Sequence, residues 1–360
     1  MNQYFKYILL CFTLLFVVSY TQAANNHKED EKPFDANTFI FGHIADAYDF
    51  HITSVGHKHI SVPLLVIVKG KENGWSVFPS YRITHGDTYK GYYIQKKGSY
   101  KGKIVETLSN GEIHRPFDLS ITKNVFSILL SIFILIALFV PAANAYKKNP
   151  LGVPTKKNHL LEMVILSIQN DVVKPSVGKD YAKYSPYLLT VFFFILITNL
   201  MGLIPFFPFG ANVTGNIAVT MVLAIFTYLI TNIFGSREYW KEIFWPDVPV
   251  MLKFPLPLMP LIELISTFTK PFALLVRLFA NIFAGHMIIL VLMALIFIFG
   301  SINPGVGYGV SIISIGFSIF MFMLELLVAF IQAYVFTTLS AIFIGLSRVE
   351  PHHHPKKEIN

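Results

Sequence analysis

Thiols are almost missing from this chain: Cys11 is the single cysteine in 360 residues. It lies in a segment read below as removable, so the remainder carries no disulfide and no thiolate nucleophile. Charge is scarce too. Lys, Arg, Asp and Glu make up 14% of the chain, hydrophobic residues make up 54%, and mean hydropathy is +0.55. That balance is too apolar for an ordinary soluble domain. Also missing are the phosphate-cradling GxxxxGK[ST], the zinc helix HExxH and the nucleophile elbow GxSxG, so no nucleotide site, metal site or covalent catalysis is assigned and no cofactor is expected. The net charge of +8 sits in segments expected to face the cytoplasm. Membrane topology explains it better than a nucleic-acid partner does.

What is present begins with a leader. Lys6 precedes an apolar run, residues 8–18, too short to span roughly 30 Å of hydrocarbon, and Thr21-Gln22-Ala23 offers small residues at the cleavage positions. Residues 1–23 are read as a signal peptide, with a short anchor as the alternative. Residues 24–117 are the polar portion. A charged tail, NNHKEDEK, leads into β-like runs at 59–68, 75–83 and 89–95, with Asn73-Gly74 as a turn. This predicts a small β-rich periplasmic domain. His43, His51, His57 and His59 lack a carboxylate or cysteine at a recognised spacing, so they are not assigned a metal. The HHHPKK run near the C-terminus fits a solvated tail.

Residues 118–360 read as a membrane domain. Apolar segments fall at 124–143, 187–208, 212–234, 260–299 and 310–346. The first loop is basic, with Lys147, Lys148, Lys156, Lys157, Lys174, Lys179 and Lys183. Inside it, residues 160–173 have helical periodicity, and two placements stay open: along the membrane surface or another subunit, or packed on this chain. Asn199, Asn212, Thr214 and Asn216 gather near the outer end of the second and third segments, where they either line a water path or cap and cross-link helices. Arg237, Lys241, Arg348, Lys356 and Lys357 mark cytoplasmic ends, giving N-terminus out and C-terminus in. The predicted fold is an all-α membrane protein with five membrane segments ending in a long, tilted hairpin, plus the β-rich N-terminal domain. Forty residues from 260 to 299 would make about 60 Å of helix, twice the apolar thickness, hence the tilt. A bend is expected at Pro271 and a turn at 301–308.

The segment 252–300 carries Glu263, Lys270, Arg277, Asn281 and His286 inside an apolar context. A charged side chain at a helix centre costs about 2.5–3.5 kcal/mol on insertion scales, so such groups mark charge-handling sites. At 100° per residue, Glu263, Ser266, Lys270, Arg277 and Asn281 share a stripe roughly 60° wide, and His286 points the other way about 13 Å further on. In the last segment Ser318, Glu325 and Gln332 recur every seven residues. If the two segments fold back antiparallel, His286 falls level with Glu325, and Arg277 with Gln332. A guanidinium keeps its proton, so Arg277 can attract a carboxylate or repel a cation and cannot relay. A histidine and a glutamate in one apolar site come close enough in proton affinity to exchange a proton.

RLFANIFAGH, preceded by PLIELISTFTKP and followed by ELLVAFIQAYVF, resembles the subunit a family of F-type ATP synthases over roughly residues 185–347. One departure stands out: the common bacterial pattern has an acid where this chain has His286 and a histidine where it has Glu325, an exchange resembling mitochondrial members. The resemblance implies a stationary proton channel of two offset half-channels in the bacterial inner membrane, facing a rotor ring of subunit c and held by peripheral-stalk subunit b. It implies that Arg277 meets the ring's buried acid and blocks a direct leak. His286 and Glu325, outward of Arg277, are read as the periplasmic inlet. Glu263 and Lys270, inward of it, border the exit, with snorkelling to the cytoplasm as the alternative for Lys270. Gln332 hydrogen-bonds near Arg277 and holds it in place, and Asn281, Ser266 and Asn216 complete the residues expected on the proton path. An ion-coupled secondary transporter is the alternative, although no internal repeat supports it. A receptor would explain the N-terminal portion and leave Arg277, His286 and Glu325 without purpose.

Overall fold

The computed structural model describes residues 35–55, 58–84, 86–96, 98–109, 111–148, 156–204, 207–245 and 258–348. The leader, the NNHKEDEK tail, His57 and the HHHPKK run lie outside the described residues. Contacts divide the chain into two units. One comprises residues 1–39, 47–123 and 294–311, the other residues 40–46, 124–293 and 312–360.

Helix α1 (Ala36–Ile44) precedes an antiparallel hairpin of β1 (Asp49–Val55) and β2 (Lys58–Pro63). β3 (Leu65–Lys69) pairs with β4 (Trp75–Pro79) on one side and β8 (Phe117–Asp118) on the other. The short α2 (Tyr81–Thr84) follows β4, and β5 (Tyr92–Ile94), β6 (Ile104–Thr107) and β7 (Ile113–His114) make a second three-stranded sheet. The expected β-run at 59–68 is therefore two strands in different sheets. Pro63, which cannot donate to a ladder, ends the first of them. The run at 89–95 is shortened because residues 89–92 are themselves a tight turn. Tyr89 and Tyr92 exchange backbone hydrogen bonds of 2.9 Å around Lys90 (φ 51°) and Gly91 (φ 78°).

Val66 and Val68 of β3, Phe78 of β4, Tyr92, Ile104, Ile83 and Tyr48 form the core of this unit. Glu106 is fully buried, yet its carboxylate accepts the Lys71 N–H at 2.8 Å and the Asn73 amide at 3.0 Å. These bonds meet the requirement that a buried polar group be satisfied. They also fasten the Asn73-Gly74 turn, where Gly74 has φ of 60°, to β6.

The second unit is helical. In α3 (Lys123–Lys148) the buried residues are Asn124, Ser127, Ser131 and Ala142, while Leu129, Phe133 and Ile136 face outward. Polar inside and apolar outside is the arrangement hydrocarbon demands. α4 (Lys156–Ser167), a π-helical turn (Ile168–Val173), α5 (Lys174–Val177) and a 3₁₀ turn (Gly178–Asp180) lead into α6 (Tyr181–Leu203). Ile168, Val172 and Val173 are buried against Leu188 and Phe192 of α6, so the segment at 160–173 packs on this chain. α7 (Ile217–Ile233) and α8 (Arg237–Phe244) meet at 100°. The chain closes with α9 (Leu258–Ile302) and α10 (Pro304–Leu346). Four described helices are long and apolar enough to cross a membrane, or five if the bent α7–α8 pair is one span. The chain is thus an all-α membrane protein with a β-rich N-terminal region.

Several boundaries differ from the sequence reading. The turn expected at 301–308 is reduced to Asn303 between α9 and α10. Asn303 Oδ1 accepts the Gly305 N–H at 2.8 Å, and Pro304 occupies the first helical position, so cap and proline together carry the helix through PGVGYG. α9 runs 45 residues through Pro271 without a break. One missing donor does not end a helix that has no water to compete for its other hydrogen bonds. α6 spans Tyr181–Leu203 instead of 187–208, α3 continues past Pro141 to Lys148, and α7 starts at Ile217 because residues 212–216 form a polar loop. In that loop Asn212 Oδ1 accepts the Gly215 N–H at 2.9 Å. At one end of the helical unit Arg348 bonds Asp180 and, at 3.0 Å, the Phe234 carbonyl, joining the ends of α6, α7 and α10.

Candidate functional site

Small residues let α9 and α10 approach. Ala329, Ala333, Thr337, Ser340 and Ala341 of α10 are buried, with Leu274 and Leu278 of α9 against that face. At this seam Gln332, 3% exposed, uses both ends of its amide. Its Nε2 donates to the Arg277 carbonyl at 2.7 Å, and its Oε1 accepts from Asn281 Nδ2 at 3.1 Å. Arg277 and Asn281 are one helical turn apart, so Gln332 grips two successive turns of α9 at the cation. The Arg277 side chain is exposed on the chain's surface, and no carboxylate lies within ion-pair distance of it among the described residues. A guanidinium on an apolar helix, held from behind and open in front, suits a carboxylate from another chain.

Nine residues along α9, about 13 Å, His286 meets Glu325 of α10. Nδ1 lies 2.5 Å from Glu325 Oε1 and 3.2 Å from the Ile282 carbonyl, and Nε2 lies 3.3 Å from the Gly202 carbonyl of α6. A carbonyl only accepts, and both ring nitrogens have one beside them, so a neutral imidazole donates from one nitrogen and an imidazolium from both. The Nδ1–Oε1 contact then fits either an imidazolium beside a carboxylate or a neutral imidazole accepting from a carboxylic acid. Glu325 Oε1 is buried without a hydrogen bond among the described residues, which leaves the imidazole as the polar group beside it. Gly285 makes room for it: a Cβ there would stand 2.9 Å from Glu325 Oε1.

On the other flank of Arg277, a pocket is lined by Thr227, Thr231 and Asn232 of α7, Tyr239 of α8, Thr267 and Lys270 of α9, and the α10 end. Tyr187 and Thr227 hydroxyls lie 2.9 Å apart, Thr227 and Ser340 hydroxyls 3.3 Å apart, and Tyr239 donates to Asn232 Oδ1 at 3.4 Å. Glu263 and Ser266 are half-buried on the same stretch of α9. The sequence reading missed Tyr187, Thr227, Asn232, Tyr239 and Ser340. A usable signal was present in Thr220, Ala224, Thr227 and Thr231, small or polar residues at helical spacing and all buried.

Asn216 stands apart from both groups. Its side chain caps α7 by accepting the Ala218 N–H at 3.0 Å, so the capping alternative describes it. Asn199 joins a different contact, accepting from Thr214 at 2.5 Å and donating to the Ala329 carbonyl at 3.3 Å. The described residues contain no cluster of three metal-ligating side chains.

Apolar helices carrying a clamped, outward-facing cation, a buried histidine–glutamate contact and a pocket edged by hydroxyls and an amide define a membrane protein that holds charge within its spanning segments. Residues 125–345 match the family described as ATP synthase A chain, and residues 39–123 match a domain of unknown function. The chain is 43% identical over 257 residues to ATP synthase subunit a 2 of Chlorobaculum tepidum, covering 69% of this chain and 71% of that relative. It is 40% identical over 255 residues to ATP synthase subunit a of Chloroherpeton thalassium (68% and 73% covered), and 41% over 245 residues to that of Myxococcus xanthus (66% and 76%). The chain belongs to the subunit a family of F-type ATP synthases, the proton-channel subunit of the membrane sector. Nothing in these comparisons favours a secondary transporter.

Proposed function

We propose that this chain supplies two offset half-channels to a rotor ring of subunit c, with Arg277 as the fixed cation between them. The single observation that carries this reading is a guanidinium clamped through its own backbone by Gln332 and left without a carboxylate among the described residues. A ring carboxylate arriving opposite it stays ionised beside the cation, and a proton cannot pass straight across. His286 and Glu325 load the ring from the periplasmic inlet, and the pocket beside Lys270, with Glu263 and Ser266, drains it to the cytoplasm. Asn281 supports the clamp. Each elementary charge that crosses gains about 2.3 kcal/mol per 100 mV, and routing it through the ring turns that gain into rotation and ATP synthesis elsewhere in the complex.

On this reading residues 1–23 are a leader, 24–117 a periplasmic domain and 118–360 the channel domain, with the C-terminus cytoplasmic. The chain has no catalytic site of its own and is anchored by the peripheral-stalk subunit b. The test is ATP-driven proton pumping by the assembled complex in inverted vesicles carrying Arg277→Ala. Coupled pumping should fall at least about a hundredfold, equivalent to ~2.7 kcal/mol of barrier. Pumping retained with a normally assembled ring would reject the role given to Arg277.

A further inference from the structure

The three-stranded sheet β4–β3–β8 has two faces of different character. Val66, Val68 and Phe78 fill the core, whereas the opposite face carries Leu65, Ile67, Trp75, Val77, Phe117 and Leu119. Five of these are left bare, with exposures from 42% at Leu65 to 61% at Val77 and Phe117. The face is contiguous: Trp75 and Phe117 touch edge to face with centroids 6.4 Å apart, and Val77 pairs across to Ile67. Lys69 stands at its rim, its ammonium 5.7 Å from the Trp75 ring. An exposed apolar surface of this kind marks an interaction site.

The chain itself indicates the occupant. Backbone pairing with β3 continues past β8: the Leu119 N–H bonds the Ile67 carbonyl and the Ile121 N–H bonds the Leu65 carbonyl, both at 2.9 Å. α3 begins at Lys123, two residues later. Two extended residues reach about 7 Å, so the Leu65 corner of the face is tethered beside the point where the chain enters hydrocarbon. Leu119 is four residues from that point, and the outward residues of α3 are apolar from Val125 to Val140. Tryptophan is favoured at a headgroup boundary, and surfaces that lie in the interface pair tryptophan, phenylalanine and leucine with lysine at the polar rim.

We propose that this sheet face is a lipid-binding surface, lying on the headgroup layer around the entry of α3 with Lys69 directed at lipid phosphate. It would give the domain of unknown function a role: bracing the first helix against the bilayer. The inference rests on α3 crossing the membrane and holds on whichever side the domain lies.

The test uses the full chain with Trp240→Phe and Trp245→Phe, which leaves Trp75 as its one tryptophan. The protein is reconstituted at low protein-to-lipid ratio into phosphatidylcholine–phosphatidylglycerol vesicles carrying a nitroxide on the headgroup or deep in the acyl chain. Trp75 emission should be quenched several-fold more by the headgroup nitroxide than by the deep one, and should resist aqueous iodide. Val77→Asp should reverse that order. Iodide quenching without lipid quenching would overturn the proposal, as would protection from both that fades on dilution in lipid, the mark of a second copy on the face. Adding iodide to one side and then to both reports the sidedness separately, so an inverted topology is distinguishable from a free sheet face.

Discussion

The two flanks of Arg277 are built from different materials. Towards the hairpin turn, a titratable pair sits in direct contact, Glu325 being 5% exposed and boxed in by Gly285. Towards the opposite end, Thr227, Thr231, Asn232, Tyr239 and Thr267 line a pocket of α7, α8 and α9 closed by Phe343 and Leu346 of α10, in which Lys270 is the charged residue among those described. A titratable pair must change state to pass a proton and is therefore sensitive to pH and to geometry. On the proposed function, a pocket lined by hydroxyls passes a proton along exchangeable hydrogen bonds, and losing one of several leaves the others in place. Substitutions on the two flanks should therefore differ in size and in pH signature.

The largest effect expected is the loss of coupling in Arg277→Ala, since that cation belongs to neither flank and separates both. Next comes the histidine–glutamate pair. His286→Ala and Glu325→Ala should each slow proton flux about tenfold, ~1.4 kcal/mol of barrier, with an altered pH profile. The double variant His286→Glu/Glu325→His should recover much of that flux, because the contact needs one of each and not a fixed order. Flux measured in vesicles across a pH series checks this, and an exchanged pair no better than the single variants would mean that the Gly202 and Ile282 carbonyls around His286 matter more than the contact. A smaller, several-fold loss is expected for Gly285→Ala, whose methyl group crowds Glu325; an unchanged rate would show that the carboxyl can relocate. Smallest of all, Tyr239→Phe and Thr227→Val should lower flux less than about threefold, under ~0.7 kcal/mol, with the pH profile intact. A tenfold loss there would erase the contrast between the flanks.

Much of this was open to inspection in the chain. Glu263, Lys270, Arg277, Asn281 and His286 announce themselves because charge in an apolar segment is costly enough to be retained only for use. The seven-residue recurrence of Glu325 and Gln332 predicted which residues would share depth across a hairpin, although the turn was misplaced. Shifting it to Asn303 moved both partners together, so the pairing survived. The hydroxyl pocket escaped notice for the opposite reason. Thr, Ser and Tyr are ordinary residues in membrane helices, and nothing in one helix reveals that Thr227 and Ser340, 113 positions apart, end within 3.3 Å. Asn216 gave no distinguishing signal in the sequence, because a capping amide and a channel amide are the same side chain.

The amino-acid sequence by itself determined which stretches are apolar enough to enter hydrocarbon, which helix face carries charge, and that His286 and Glu325, like Arg277 and Gln332, occur at matched spacing. Those are one-dimensional properties, set by hydropathy and by 3.6 residues per turn. Only the tertiary structure decided that Gln332 holds Arg277 by its carbonyl, that His286 reaches Gly202 as well as Glu325, and that four helices enclose a polar pocket. Contacts of that kind depend on which small residues let two helices close to touching distance, and closeness is a property of the pair.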